Sequence, residues 1–275
     1  MRVIVTRPAE QSGQWTQSLI EAGFDARSMP LIEIAALTDQ RPVVAIWHRL
    51  QEFDAAMFVS ANAVRYFFAC KPSGVDAFNR RSAFKARAWG TGPGTVTALM
   101  DCAVDKEYAD APDFHAAQFD SEALWQVVQH RVKPGFRCLI VRGTEGAGEV
   151  DAVQTLASSH GNLQGAGRDW FSKQIEHAGG GVEFVVTYQR RAPVLDADAM
   201  ALAQLAAHDG SVWLFSSSEA LANLQVVCPG QDWSGARALA THPRIAGAAR
   251  AAGFGEVCES RPSLSELVAS IESMA

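Results

Sequence analysis

Three hydroxyls in a row, Ser216-Ser217-Ser218, follow the apolar run Val212–Phe215 and precede a helical pattern. Hydroxyls and unpaired backbone N–H groups at a helix start can hold an anion. The spacing Ser216-x-x-Glu219 also matches a capping box, so the cluster reads equally as a cap. Ser60-Ala61-Asn62 offers similar groups earlier in the chain, with Ser60 and Asn62 as candidate substrate contacts. Gly92-Pro93-Gly94-Thr95 puts proline at an expected first helical position. Gly92 and Gly94 beside it would let a ligand approach the backbone closely. Thr241-His242-Pro243-Arg244 is the counterpart turn, where Arg244 could make a forked contact with a carboxylate. Arg7 and Arg142 each stand at the end of an expected strand. One such arginine is ordinarily a solvated group, whereas two at matching places are candidate ligand contacts. Tyr188 falls at an expected linker, either packed there or serving as a general acid. An ordinary phenol pKa of about 10 keeps it protonated at neutral pH.

Other chemistries find no support. The chain has no Gly-x-Ser-x-Gly elbow, no Cys-x-x-Cys pair and no His-x-x-x-His spacing, so no metal site is expected. No Walker loop or dinucleotide fingerprint follows a strand, and Gly90-x-Gly92-x-Gly94 has the wrong spacing. Cys70, Cys102, Cys138, Cys228 and Cys258 are scattered and odd in number, which suits burial as free thiols in a reducing compartment. An enzyme built from these parts would work by shape, backbone donors and one or two proton-handling groups.

The formal net charge of −6 argues against a general nucleic-acid binder, which would carry a basic face. A polyanionic ligand would have to be held by local donors. No signal-peptide pattern or long apolar span is present, so we expect a cytoplasmic protein without a membrane partner.

The elements that must position these residues come as α/β units. At 275 residues the chain can form two domains. Short apolar runs at 3–6, 55–59, 86–89, 138–141, 182–188, 212–215, 238–240 and 256–259 read as strands, with helical patterns between them. Residues 26–34 read as one further strand, 12–22 as a helix, and 244–252 as a helix stopped at Gly253. The glycine-rich stretch 144–167 reads as an enlarged loop, with a short helix around Val150–Ala157; a surface decoration and a lid are both open.

The chain also repeats itself. Phe58-Val59-Ser60-Ala61 is echoed by Phe215-Ser216-Ser217-Ser218, the turn at 89–95 by 239–245, and Val3–Arg7 by 139–143. Two unrelated α/β segments could give such echoes by chance; two similar units would leave a cleft between them. The expected fold is α/β: two similar doubly wound parallel-sheet domains joined by a two-stranded linker. Residues 1–35 plus 192–275 would make one discontinuous domain and 42–184 the other, with 36–41 and 185–191 as linker.

The ordered set of motifs resembles the uroporphyrinogen-III synthase family. Those motifs are Val-Thr-Arg-Pro at 5–8, Phe-Val-Ser-Ala-Asn-Ala-Val at 58–64, Gly-Pro-Gly-Thr at 92–95 and Leu-Ile-Val-Arg-Gly at 139–143. Arg168-Asp169-Trp170, Tyr188–Arg191, 215–221 and 240–245 continue the set, so the match spans nearly the whole chain. The resemblance implies a cofactor-free enzyme that cyclises hydroxymethylbilane, a linear tetrapyrrole, with loss of water and inversion of ring D. It implies substrate carboxylates held largely by backbone N–H groups, a linker tyrosine matching Tyr188 that assists departure of the ring A hydroxyl, and a threonine matching Thr95. Some relatives carry a similar threonine turn where this chain has His242-Pro243-Arg244-Ile245, which leaves Thr241, His242 and Arg244 as candidates without a defined role. We expect a monomer in transient contact with the preceding enzyme of the pathway. A non-catalytic two-domain anion binder, or a degenerate synthase domain kept as a partner-binding module, remains open at this point.

Overall fold

The computed structural model describes residues 1–82, 85–113, 119–145, 153–155 and 166–274. In chain order the elements begin β1 (Arg2–Val5), α1 (Ala9–Glu21), β2 (Asp25–Ser28), β3 (Glu33–Ala36), α2 (Arg41–His48), β4 (Ala55–Phe58) and α3 (Ala61–Ala69). Next come β5 (Arg87–Gly90), α4 (Pro93–Asp101), β6 (Ala109–Asp110), α5 (Ser121–Val128), β7 (Arg137–Glu145), β8 (Val153–Thr155), α6 (Ala166–His177) and β9 (Gly181–Arg191). The chain closes with α7 (Ala197–Ala206), β10 (Val212–Phe215), α8 (Ser218–Val227), β11 (Arg237–Ala240), α9 (Pro243–Ala251), β12 (Glu256–Glu259) and α10 (Leu264–Ser273).

Two compact units result: Met1–Ile34 with Arg190–Ala275, and Ala35–Gln189. The first holds a five-stranded sheet in the order β12-β11-β10-β1-β2, parallel throughout. A parallel sheet is covered on both faces, so its strands read as unbroken apolar runs. The pleat then sorts the residues. Ile4, Trp213, Phe215, Ala238 and Ala240 enter one buried cluster with residues of α7, α8 and α9. Val3, Val5, Val212, Leu214 and Leu239 enter another with Leu19 of α1 and Leu267 and Ile271 of α10. Trp213 is fully buried and its indole Nε1 donates to Ala206 O at 3.1 Å.

The second sheet runs β3-β9-β7-β4-β5-β6, and β8 pairs antiparallel with β9. β4 lies parallel to β5 and β7, and β6 parallel to β5. Met57, Trp89, Cys138 and Ile140 pack on one face with Leu124, Trp125 and Val128 of α5 and Phe171 and Ile175 of α6. A separate aromatic stack includes Trp47 against Phe67 at 4.4 Å, and Phe58 edge-on to Phe67 at 5.6 Å.

The strand orders explain the sequence echoes. Starting at β10, the first unit reads third-second-first-fourth-fifth across β12-β11-β10-β1-β2. Starting at β4, the second unit reads the same order across β6-β5-β4-β7-β9. The first unit is thus a circular permutation of the second, with β10 matching β4, β11 matching β5 and β1 matching β7. The three echoes fall on these three strand pairs. In each unit the connections leave the first and fourth strands in opposite directions, so a topological switch point lies between β10 and β1, and between β4 and β7. Ligands of open α/β sheets bind outside the carboxyl ends of strands at such points.

Several boundaries differ from the sequence reading. Residues 26–34 are two strands, because the segment Met29–Ile32 containing Pro30 interrupts them. Helix α1 starts at Ala9, directly after Pro8. β7 continues to Glu145, so Arg142 lies inside a strand and not at its end. Within 144–167, residues 146–152 and 156–165 lie outside the described residues, and Val153–Thr155 is a strand where a short helix was expected. Two-residue β6 had no readable signal.

Candidate functional site

Strand register places the two arginines at equivalent points. In the first unit Val3 pairs with Val212 and Val5 with Leu214. In the second Cys138 pairs with Ala55 and Ile140 with Met57. Counting on, Arg7 and Arg142 occupy the same position beside the two switch points. Each guanidinium lies over an aromatic ring, Arg7 over Trp15 at 4.2 Å and Arg142 over Phe184 at 5.1 Å. Arg142 is 7% exposed. Arg7 is half-buried, and burial pulls its guanidinium below the usual arginine value. Its Nε is buried with no hydrogen-bond partner among the described residues. A buried donor left this way costs stability that an incoming carboxylate would offset.

The helix starts match as well. Ser60 caps α3, with Oγ accepting from Ala63 N at 3.1 Å. Ser217 caps α8 by accepting from Glu219 N at 3.2 Å. The cap is therefore Ser217 and not Ser216, one residue later than the box spacing suggests, because α8 starts only at Ser218. Ser218 is the first residue of α8. Asn62 Oδ1 accepts locally from Arg65 at 3.3 Å.

The turns before α4 and α9 then diverge. Gly92 caps α4 without a side chain, and Pro93 opens the helix. A Cβ on Gly94 would meet nothing within 4 Å, whereas one on Gly92 would press on Phe119 at 3.2 Å. The α4 start is therefore open at Gly94. At α9 the equivalent of Gly92 is His242, whose Nδ1 accepts from Arg244 N at 3.1 Å. His242 and the Arg244 side chain are exposed, and Thr241 N donates to Phe215 O at 3.1 Å. Thr95 is 5% exposed, and a Cβ added at Gly90 would meet its methyl at 3.4 Å.

Tyr188 has the most specific surroundings. It is 6% exposed on β9, with Oη 3.1 Å from Ser60 Oγ. Its ring stacks on Tyr66 of α3 at 5.7 Å and 26°. Gly143 of β7 lies directly against the ring: an added Cβ there would sit 2.3 Å from Tyr188 Cζ. The neighbouring Thr187 Oγ1 donates to Arg142 O at 3.3 Å, tying β9 to β7 beside that contact. The structure thus gathers Ser60, Arg142 and Tyr188 within one unit, together with Tyr66, Phe184 and Gly143, which the motif reading did not single out as site residues. The expected strand ends at residue 141, so Gly143 carries an in-strand glycine signal only once β7 is seen to run on to Glu145.

Two further arginines are already engaged. Arg190 pairs with Glu219 at 3.4 Å and Arg191 with Glu33 at 2.7 Å. Among the described residues no cluster of three metal-ligating side chains occurs, and no helix is long and apolar enough to cross a membrane. All five cysteines are free thiols; Cys138 and Cys228 are buried, and burial pushes both thiols up.

A family model described as uroporphyrinogen-III synthase HemD matches residues 13–269. Among solved structures, uroporphyrinogen-III synthetase from Helicobacter pylori 26695 gives a TM-score of 0.53 at 12% identity, with 100% of both chains covered. A mutant uroporphyrinogen III synthase from the extremely thermophilic bacterium Thermus thermophilus gives 0.51 at 14% identity, over 100% of this chain and 98% of that one. At these identities the two structures speak for the fold, while the family model spans both units. The chain belongs to the uroporphyrinogen-III synthase HemD family.

Proposed function

We propose that this protein is a hydro-lyase that closes hydroxymethylbilane to uroporphyrinogen III, expelling water and inverting ring D. The family match over residues 13–269 carries this reading. The local geometry supports roles for particular residues. Ser60 Oγ already accepts from Ala63 N, and its own hydroxyl proton remains to be placed. Donated to Tyr188 Oη, it leaves the phenol proton free for the departing ring A hydroxyl. That hydroxyl leaves as water, pushed by the electron-rich pyrrole. The phenolate left behind keeps the Ser60 hydrogen bond.

Arg7 and Arg142 would hold substrate carboxylates, each pre-set on an aromatic face and partly stripped of water. The open start of α4 at Gly94 would offer backbone donors to another. Ser216, Ser217, Ser218, Thr241 and Arg244 would serve the same purpose in the first unit, with Ser217 and His242 also capping their helices. No step requires a cofactor. We further propose a monomer acting in the cytoplasm; gel filtration and cell fractionation check these two points.

Purified protein given freshly generated hydroxymethylbilane should yield mainly the III isomer. Spontaneous closure gives the I isomer. A product distribution identical to the enzyme-free control would refute the activity and leave an anion-binding or partner-binding role.

A further inference from the structure

The contact between β7 and β9 assigns a task to a residue with no side chain. Gly143 stands on β7, next to Arg142. Built with a Cβ, it would meet Tyr188 Cζ at 2.3 Å, Cε2 at 2.4 Å and Cε1 at 2.8 Å. All three atoms belong to the hydroxyl end of one ring. Relief to an ordinary carbon contact requires a shift of roughly 1 Å or more. The ring is not free to make it. Its Oη is 3.1 Å from Ser60 Oγ, and its face is stacked on Tyr66. The backbone is tied as well, through Thr187 Oγ1 to Arg142 O at 3.3 Å.

The backbone conformation does not demand glycine here, because Gly143 does not adopt a positive φ. A glycine weakens a strand interior, so its presence calls for another reason. The equivalent residue of the first unit, by strand register, is Pro8, which lies beyond the end of β1 and directly precedes α1. Close approach of a ring at this point therefore belongs to the second unit.

We infer that Gly143 is a positioning residue: it provides the seat that sets the Tyr188 hydroxyl against Ser60, so that an added methyl disables the acid without touching substrate. This rests on the reading of Tyr188 as the proton donor. An error of about 1 Å in placing a reacting group can cost on the order of 10²-fold in rate.

The test is a double-mutant cycle in the full chain, using Gly143→Ala, Tyr188→Leu and both together. Leucine at 188 lacks the ring atoms that an alanine at 143 would strike. Two quantities are read: the urea midpoint, and kcat with KM for hydroxymethylbilane. Alone, Gly143→Ala should lower the midpoint and cut kcat by roughly 10- to 10²-fold, with KM changed far less. Beside Tyr188→Leu it should alter neither. If Gly143→Ala does not fold, adding Tyr188→Leu should restore folding, and failure to restore it overturns the inference. Equal losses in both backgrounds also overturn it, since Gly143 would then act apart from the ring. A coupled stability cycle with Tyr188→Phe at the wild-type rate keeps the seat and removes only the acid.

Discussion

The two units share a strand order but use its fourth strand differently. In the first, β1 has four residues and stops before Arg7-Pro8. In the second, β7 has nine and carries the chain past Arg142 through Gly143 to Glu145. Those extra residues let β7 present a bare backbone to Tyr188 on the neighbouring strand. Each unit retains the arginine on an aromatic ring and the serine cap. The comparison separates two duties. On the proposed reading, holding anionic groups would fall to features both units share, and handling a proton to an addition made in one copy.

Connectivity gives the sharpest way to break the comparison. Unit Ala35–Gln189 is continuous in sequence, but the other unit takes its β1, which lies between β10 and β2, from the far N-terminus. Removing residues 1–34 should abolish the cooperative unfolding of the first unit and spare the second. Hydrogen exchange would show β10 and β11 unprotected and β4 and β5 protected. Protection surviving in β10 would mean that the unit does not depend on its central strand.

The arginines come next in size. A hydrogen bond to a charged group contributes about 1.5–3 kcal/mol, or roughly 10- to 100-fold in binding. Arg142→Met should raise KM by that order with a smaller change in kcat. Arg7→Met should act in the same direction but less, because Arg7 is half-buried where Arg142 is 7% exposed. A loss in kcat alone would place these residues in the chemical step and not in binding.

The smallest of the three concerns the glycines at the start of α4. A side chain at Gly94 points into open space, so Gly94→Val should leave the circular dichroism spectrum intact and weaken substrate binding. Gly92→Val should instead disturb Phe119 and lower stability. Turnover by Gly94→Val equal to wild type would remove the α4 start from the site.

Much of this arrangement is legible in the residues themselves. The runs Ala55–Phe58 and Val212–Phe215 are wholly buried strands, and an unbroken apolar stretch is what a strand covered on both faces requires. The echoes around Ser60 and Ser217, and around Pro93 and Pro243, follow from local capping chemistry, which is written in adjacent residues. Contacts across strands are harder. Gly143 and Tyr188 are far apart in sequence and meet only because β7 and β9 are neighbours. The same holds for Arg7 on Trp15 and Arg142 on Phe184, since spacing alone does not disclose which ring a guanidinium will cover. Ser216 took the place of Ser217 in the sequence reading because capping-box spacing leaves the end of the preceding strand undetermined.

The division between shape and acid is tested most directly by Tyr188→Phe, through both the rate and the identity of the product. A general acid contributes about 10²–10⁴-fold, and the pyrrole already supplies much of the push. The variant should therefore slow by no more than about 10²-fold and still release mainly uroporphyrinogen III, because inversion of ring D depends on the shape of the site. Release of mostly the I isomer would contradict the account, since Tyr188 would then be orienting ring D and not handling a proton.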